Sequence, residues 1–125
     1  MCGFVGFINL KHDLENRQEI LTRMTKKLSK RGPDEENFYL APGVNFGHRR
    51  LIILDPKNGG QPMSAKQGEN TYTIVYNGQL YNASELRKEL KEKGYSFKGY
   101  CDTEVILKAY MEWRACHYKN LKWYF

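Results

Sequence analysis

The sequence predicts an α+β fold with antiparallel sheets. Short runs rich in aromatic and β-branched residues, at 4–10, 38–40, 44–51 and 72–76, have strand character and turn-forming borders. Three other stretches carry apolar residues at helical spacing. Strands and helices come in segregated groups rather than in strict alternation, which favours antiparallel pairing over a parallel βαβ sheet. The 125 residues suffice for one domain, spanning 1–125, and not for two. A chain this long buries about two-thirds of its unfolded surface, so a true core is expected.

Residues 4–10 (Phe-Val-Gly-Phe-Ile-Asn-Leu) read as a buried strand, which puts Cys2 at the mouth of a rigid element. A helix follows over 16–30, with Ile20, Leu21, Met24 and Leu28 on one face. Arg31-Gly32-Pro33-Asp34 stops it, glycine for the cap and proline to forbid continuation. Strands 38–40 and 44–51 flank the turn Ala41-Pro42-Gly43, and Ile52-Ile53-Leu54 carries the apolar run to Asp55-Pro56. Residues 55–62, with Asn58-Gly59-Gly60, read as a loop. The strand 72–76 runs into Asn77-Gly78-Gln79-Leu80-Tyr81-Asn82, a turn and then a helix start. Asn82 with Glu85 three residues on suggests a capping box. That helix carries Leu86 and Leu90 and stops at Gly94. Residues 95–100 read as a short strand. A third helix opens at Asp102-Thr103-Glu104, its apolar face made by Val105, Ile106, Ala109, Tyr110 and Trp113.

Composition narrows the function classes. With 41% hydrophobic and 27% charged residues, the chain has the balance of a soluble globular protein. The net charge of +6 comes from basic clusters in 23–31 and 87–93, both mixed with leucines on predicted helices. That pattern suits solvated helix faces, and no nucleic-acid-binding motif accompanies it. Cys2, Cys101 and Cys116 are an odd count without Cys-x-x-Cys spacing, so neither a disulfide framework nor a metal site is expected. This suits a reducing, cytoplasmic setting. The apolar start is too short for a signal peptide, and no run reaches the ~18 residues of a membrane span. Asn82-Ala83-Ser84 matches a glycosylation acceptor, which carries no weight without secretion.

Chemistry concentrates at Met1-Cys2-Gly3. Once Met1 is trimmed, Cys2 carries a thiol and a free α-amine. The free groups titrate at about 8.5 and about 7.7–8.0. The amine can take the thiol proton and return it to a leaving group, so the nucleophile brings its own base. The alternative is a small buried hydrophobe near the terminus. Three other pieces could serve such a nucleophile. The Asn77 side-chain amide and the Gly78 N–H could form an oxyanion hole, or Asn77-Gly78 is a hairpin turn. Arg50 could grip a carboxylate, or form a surface salt bridge. Asp102 could bind an ammonium, or cap a helix.

Together these residues resemble a known family. Met1-Cys2-Gly3, Arg31-Gly32-Pro33-Asp34, His48-Arg49-Arg50-Leu51-Ile52-Ile53-Leu54-Asp55, Gly60-Gln61-Pro62, Tyr76-Asn77-Gly78-Gln79-Leu80-Tyr81-Asn82 and Cys101-Asp102-Thr103-Glu104-Val105 occur in family order. The chain resembles the glutaminase domain of glutamine-hydrolysing asparagine synthetases, class II glutamine amidotransferases with an N-terminal nucleophile. The resemblance implies an N-terminal-nucleophile-hydrolase αββα sandwich. It implies Cys2 as nucleophile toward glutamine, Asn77 and Gly78 as the oxyanion hole, and Arg50 on the substrate carboxylate. It places Leu51, Ile52, Ile53 and Leu54 along the pocket, and gives the substrate amine to Asp102 and Gln79. No cofactor is implied for this half-reaction; ATP and magnesium belong to the synthetase domain, which this chain lacks.

Departures shape the remaining expectations. Gln79 stands where many members carry Glu, and Trp113-Arg114 where the family has Trp-Gly. With Leu121-Lys122-Trp123-Tyr124-Phe125 as its last residues, the chain is expected to hold a partial domain, incomplete at its C-terminus. Sheet edges are then expected to lack partners, with the aromatic tail either patching them or exposed. The expected function is glutamine hydrolysis for a separate synthetase domain or subunit, without nucleic acid or membrane. The alternative is a non-catalytic remnant, or a fragment that depends on a partner chain.

Overall fold

A computed structural model describes residues 1–9, 15–114 and 121–124, with the side chains of Trp123 and Tyr124 outside the description. The expected positions Leu10, Cys116 and Phe125 lie outside the described residues. Contacts divide the chain into two compact units. The first comprises Met1–Ile53, Gly60–Pro62 and Val75–Asn77, and the second Leu54–Gly59, Met63–Ile74 and Gly78–Phe125.

In the first unit, β1 (Gly3–Ile8), β2 (Glu35–Ala41) and β3 (Val44–Arg50) form an antiparallel sheet of order β1-β3-β2. β2 and β3 meet at a tight turn in which Gly43 takes φ 82°, a conformation that favours glycine. Register fixes the geometry that matters later. Gly3 faces Arg49 and Glu35 faces Arg50, so the start of β1, the start of β2 and the end of β3 lie at one end of the sheet.

Helix α1 (Arg17–Lys26) covers one sheet face with Leu21 and Thr25, both fully buried. Gly47 on β3 lets it approach, since a Cβ there would collide with Thr25 Oγ1. The helix was expected to run to residue 30, and it ends earlier. Beyond Lys26 the N–H groups of Lys27, Leu28 and Ser29 bond three residues back rather than four, so the chain tightens into turns. Arg31-Gly32-Pro33-Asp34 then turns toward β2, and Gly32 passes so close to Arg49 that a Cβ would strike its carbonyl.

In the second unit, β4 (Met63–Gln67) and β5 (Asn70–Ile74) form a hairpin, and β6 (Gln79–Leu80) pairs with β7 (Trp123–Tyr124). The strand expected at 72–76 is thus displaced to 70–74, with β4 as a partner the sequence reading had not assigned. The tail pairs by its backbone, Gln79 with Tyr124 and Leu80 with Trp123. Helices α2 (Ala83–Glu92) and α3 (Asp102–Trp113) supply the core through Leu86, Leu90, Val105, Ile106, Leu107 and Ala109.

Two local expectations fail here for stated reasons. Asn82 makes no side-chain cap on α2, because its Oδ1 accepts the Lys122 N–H at 3.0 Å instead. Residues 95–100 form no strand: the Tyr95 N–H donates to the Leu90 carbonyl, and side chains take the N–H groups of Lys98, Gly99 and Tyr100, which leaves no ladder to build. No described helix is long and apolar enough to cross a membrane.

Candidate functional site

The first unit brings the Cys2 thiol and the Arg50 guanidinium to one sheet end. Antiparallel register brings the residue before β1 to the residue after β3. There the Leu51 N–H donates to Cys2 Sγ at 3.3 Å, and the thiol reaches the Leu51 carbonyl at 3.5 Å. Arg31 Nε donates to the Cys2 carbonyl at 3.2 Å, so sulfur and backbone are both held. Cys2 is half-buried, and Met1 before it is 65% exposed.

Arg50 is buried, its Nη1 donating to both Glu35 oxygens at 3.1 and 3.0 Å. The salt-bridge alternative is therefore realised, but between the buried Arg50 and the half-buried Glu35 across the β2–β3 ladder. Asp34 secures the neighbouring segment: its N–H donates to the Arg50 carbonyl at 3.0 Å, and its Oδ2 accepts the Ile52 N–H at 2.7 Å. Leu51 and Ile52 are half-buried and Ile53 is exposed.

Asn77 follows Tyr76, whose N–H donates to Gln61 Oε1 at 2.6 Å. Asn77 itself is half-buried. The hairpin alternative for Asn77-Gly78 is not adopted: neither residue takes a positive φ, and β5 pairs with β4 while β6 pairs with β7. His48, two residues before Arg50 on the same strand, is fully buried. Burial holds its imidazole below the usual range, and the Arg50 charge adds to this. The Tyr76 backbone and Glu35 oppose the shift without reversing it.

The second unit holds Leu54, Gly78, Gln79 and Asp102. The first three are exposed. Asp102 opens α3 and its Oδ2 accepts the Leu80 N–H at 3.1 Å, which links it to β6 beside Gln79. The capping alternative is not adopted, since Cys101 occupies the cap position and no side chain bonds there. Asp102 Oδ1 receives no hydrogen bond from the described residues.

Several structural residues were not singled out from sequence. Asp55 is buried at φ 48°, and Glu104 is buried on α3. Burial pushes the Asp55 carboxyl up, but the N–H groups of Tyr100, Asn58 and Cys101 and the Asn58 side chain outweigh it, leaving it below the carboxylate range. Burial acts likewise on Glu104, and the Lys108 ammonium with the Lys98 and Gly99 amides reverses it. Arg87, expected on a solvated helix face, donates to the Gly99 and Cys101 carbonyls at 2.7 and 3.0 Å and covers the Phe97 ring. Asp55 and Glu104 do stand inside recognised motifs; Glu35 and Arg87 carry no sequence signal beyond register and helix position. The Cys101 thiol is buried, and that burial pushes its pKa up, which favours the protonated form.

No three His, Cys, Asp or Glu side chains among the described residues group as metal ligands. A cavity of about 190 Å³ lies in the second unit between Tyr72, Ile74, Ile106, Tyr110, Arg114 and Leu121, and it contains none of the candidate residues.

The profile of the glutamine amidotransferase domain family matches residues 1–125. Asparagine synthetase [glutamine-hydrolyzing] 3 of Bacillus subtilis is 46% identical over 114 residues, covering 91% of this chain and 19% of the relative. Asparagine synthetase [glutamine-hydrolyzing] 1 of the same organism is 45% identical over 123 residues, covering 96% and 18%. Asparagine synthetase B [glutamine-hydrolyzing] of Escherichia coli is 32% identical over 112 residues, covering 90% and 20%. The chain thus spans about a fifth of the length of these relatives.

Proposed function

The chain belongs to the glutamine amidotransferase domain family, and on that premise we propose that it hydrolyses glutamine to glutamate and ammonia through Cys2. The observation that carries the reading is the Leu51 N–H aimed at Cys2 Sγ next to the buried guanidinium of Arg50. A sulfur held beside a cation that can pair with a carboxylate suits an amino-acid substrate. An αββα sandwich is the architecture we propose for the whole domain. A helix layered on one face of an antiparallel sheet supports it.

The proposed cycle starts with removal of the exposed Met1, which frees the Cys2 α-amine. That amine takes the thiol proton, and the sulfur attacks the side-chain amide carbon. The Asn77 side-chain amide and the Gly78 N–H stabilise the oxyanion. The amine gives the proton to the departing nitrogen as the C–N bond breaks, releasing ammonia and leaving a thioester. Water then attacks the thioester carbon and returns the thiol and glutamate. Arg50 holds the substrate carboxylate, Leu51 to Leu54 border the pocket, and Asp102 with Gln79 receives the amine. The names of the relatives suggest amidation as the use of the ammonia, by a separate synthetase domain or subunit.

The test is glutamate release from glutamine by protein whose intact mass shows Met1 removed. Wild type is expected to turn over, Cys2→Ala to be inert, and Asn77→Ala to lose about 10²–10³ in rate. Processed wild-type protein that releases no glutamate would refute the reading.

A further inference from the structure

Four consecutive backbone amides in the second unit donate to only two side chains. Lys98 and Gly99 donate to the oxygens of Glu104 at 3.0 and 3.2 Å. Tyr100 and Cys101 donate to Asp55 Oδ2 at 2.6 and 3.3 Å. The Arg87 guanidinium donates to the carbonyls of Gly99 and Cys101. Asp55 Oδ1 is in turn held by the Asn58 backbone and side-chain amides at 3.0 and 3.1 Å. Lys108 pairs with Glu104 at 2.9 Å. The segment has no ladder, so these charged groups are what give it a shape. The residue leaving the segment is Asp102.

We propose that Asp55 is a positioning residue for recognition of the substrate amine: by holding the Tyr100 and Cys101 amides it fixes the Asp102 carboxylate. This rests on the reading of Asp102 as the amine ligand. A carboxylate pulled from its place by even part of a turn cannot keep the Leu80 N–H on Oδ2 and offer Oδ1 to an ammonium. Asp55 is itself tied to Asn58 in a left-handed conformation, so it has one orientation to impart. Gly99 completes the device. A Cβ there would collide with Asp55 Oδ2 and approach Asn58 Cβ to 2.7 Å and Asp55 Cγ to 2.9 Å, so Gly99→Ala moves Asp55 without changing any charge.

The experiment is a binding comparison on a Cys2→Ala background, where nothing turns over. Affinities are measured for glutamine and for glutaramate, which is glutamine without its α-amine. The background is expected to prefer glutamine. Asp55→Asn and Gly99→Ala, each folded by circular dichroism, are expected to cut that preference about tenfold or more, the size of a lost charge-assisted contact. Glutaramate affinity is expected to change by less than about threefold in both. Unchanged preference in either folded variant, or equal loss of both ligands, would overturn the proposal, because a merely structural role weakens both alike. A background that binds neither ligand overturns it too. A background that prefers glutamine and variants that lose that preference, alongside a failed glutaminase assay, would overturn only the catalytic reading and leave the positioning role standing.

Discussion

The two units hold their polar groups by different devices. In the first, Cys2 and Arg50 sit at the ends of strands whose register is set by backbone ladder bonds, Gly3 against Arg49 and Glu35 against Arg50. In the second, Asp102 follows a segment without a ladder, held by the carboxylates of Asp55 and Glu104 and by Arg87. Ladder bonds involve groups that every residue carries, so they survive most substitutions. A segment held by side chains depends on a few particular residues and on their charge. The comparison teaches that the platform carrying Cys2 is generic and robust, while the segment before Asp102 is specific and fragile.

The largest effects expected are in the cores, where the units should not differ. Leu21 in α1 and Leu90 in α2 are both fully buried. Each truncation to alanine loses the transfer free energy of the removed atoms and leaves a cavity, so each should cost about 2–5 kcal/mol. Urea unfolding of Leu21→Ala and Leu90→Ala checks this. A cost near zero for one of them would mean that its unit does not rest on that apolar core, and the contrast would then extend beyond how polar groups are anchored.

Next comes a pair of glycine substitutions that separates the devices. Gly32→Ala in the first unit drives a methyl into the Arg49 carbonyl and the Arg50 nitrogen, atoms fixed in the sheet. Overpacking against backbone should cost about 1–3 kcal/mol, read by the same unfolding measurement. Gly99→Ala meets a side chain that can yield and should cost less stability. Equal costs would remove the distinction between a rigid ladder and a displaceable carboxylate.

Legibility from sequence follows the same division. β1, β2, β3 and the three helices were readable because period and turn residues act locally. Cys2, Arg50 and Asp102 were visible through motif chemistry, and the register then placed Cys2 at Leu51. The segment 95–100 misled because Tyr95, Phe97 and Tyr100 resemble strand residues, while the partners that forbid a ladder, Asp55 and Glu104, include one 45 residues away from Tyr100. Glu35 as the partner of Arg50 needed a register that no local pattern supplies. β4 was missed because Met-Ser-Ala-Lys-Gln is weakly apolar and becomes a strand only against β5. Two-residue strands such as β6 and β7 are made wholly by pairing and leave no trace in sequence.

The smallest effect expected is a separation in acid sensitivity. His48 is buried neutral, and its folded value lies below the free value of 6.5. As pH falls through 6.5 the unfolded chain takes the proton first, so stability is full above that pH and is lost below it. Asp55 and Glu104 also titrate below their free values of 3.8 and 4.5. Their contribution is full above those values and is lost only as pH falls through the lower folded ones. Between pH 7 and 5 the decline should therefore come from the ladder-built unit, through the buried imidazole of His48, and below about 4.5 the carboxylate-held segment should add its own. Urea midpoints measured across this range are expected to fall in wild type from pH 7 to 5 and to stay level in His48→Gln, with both falling below 4.5. A slope between pH 7 and 5 that persists in His48→Gln would assign the first loss elsewhere, and the ladder unit would then be as indifferent to acid as its backbone bonds.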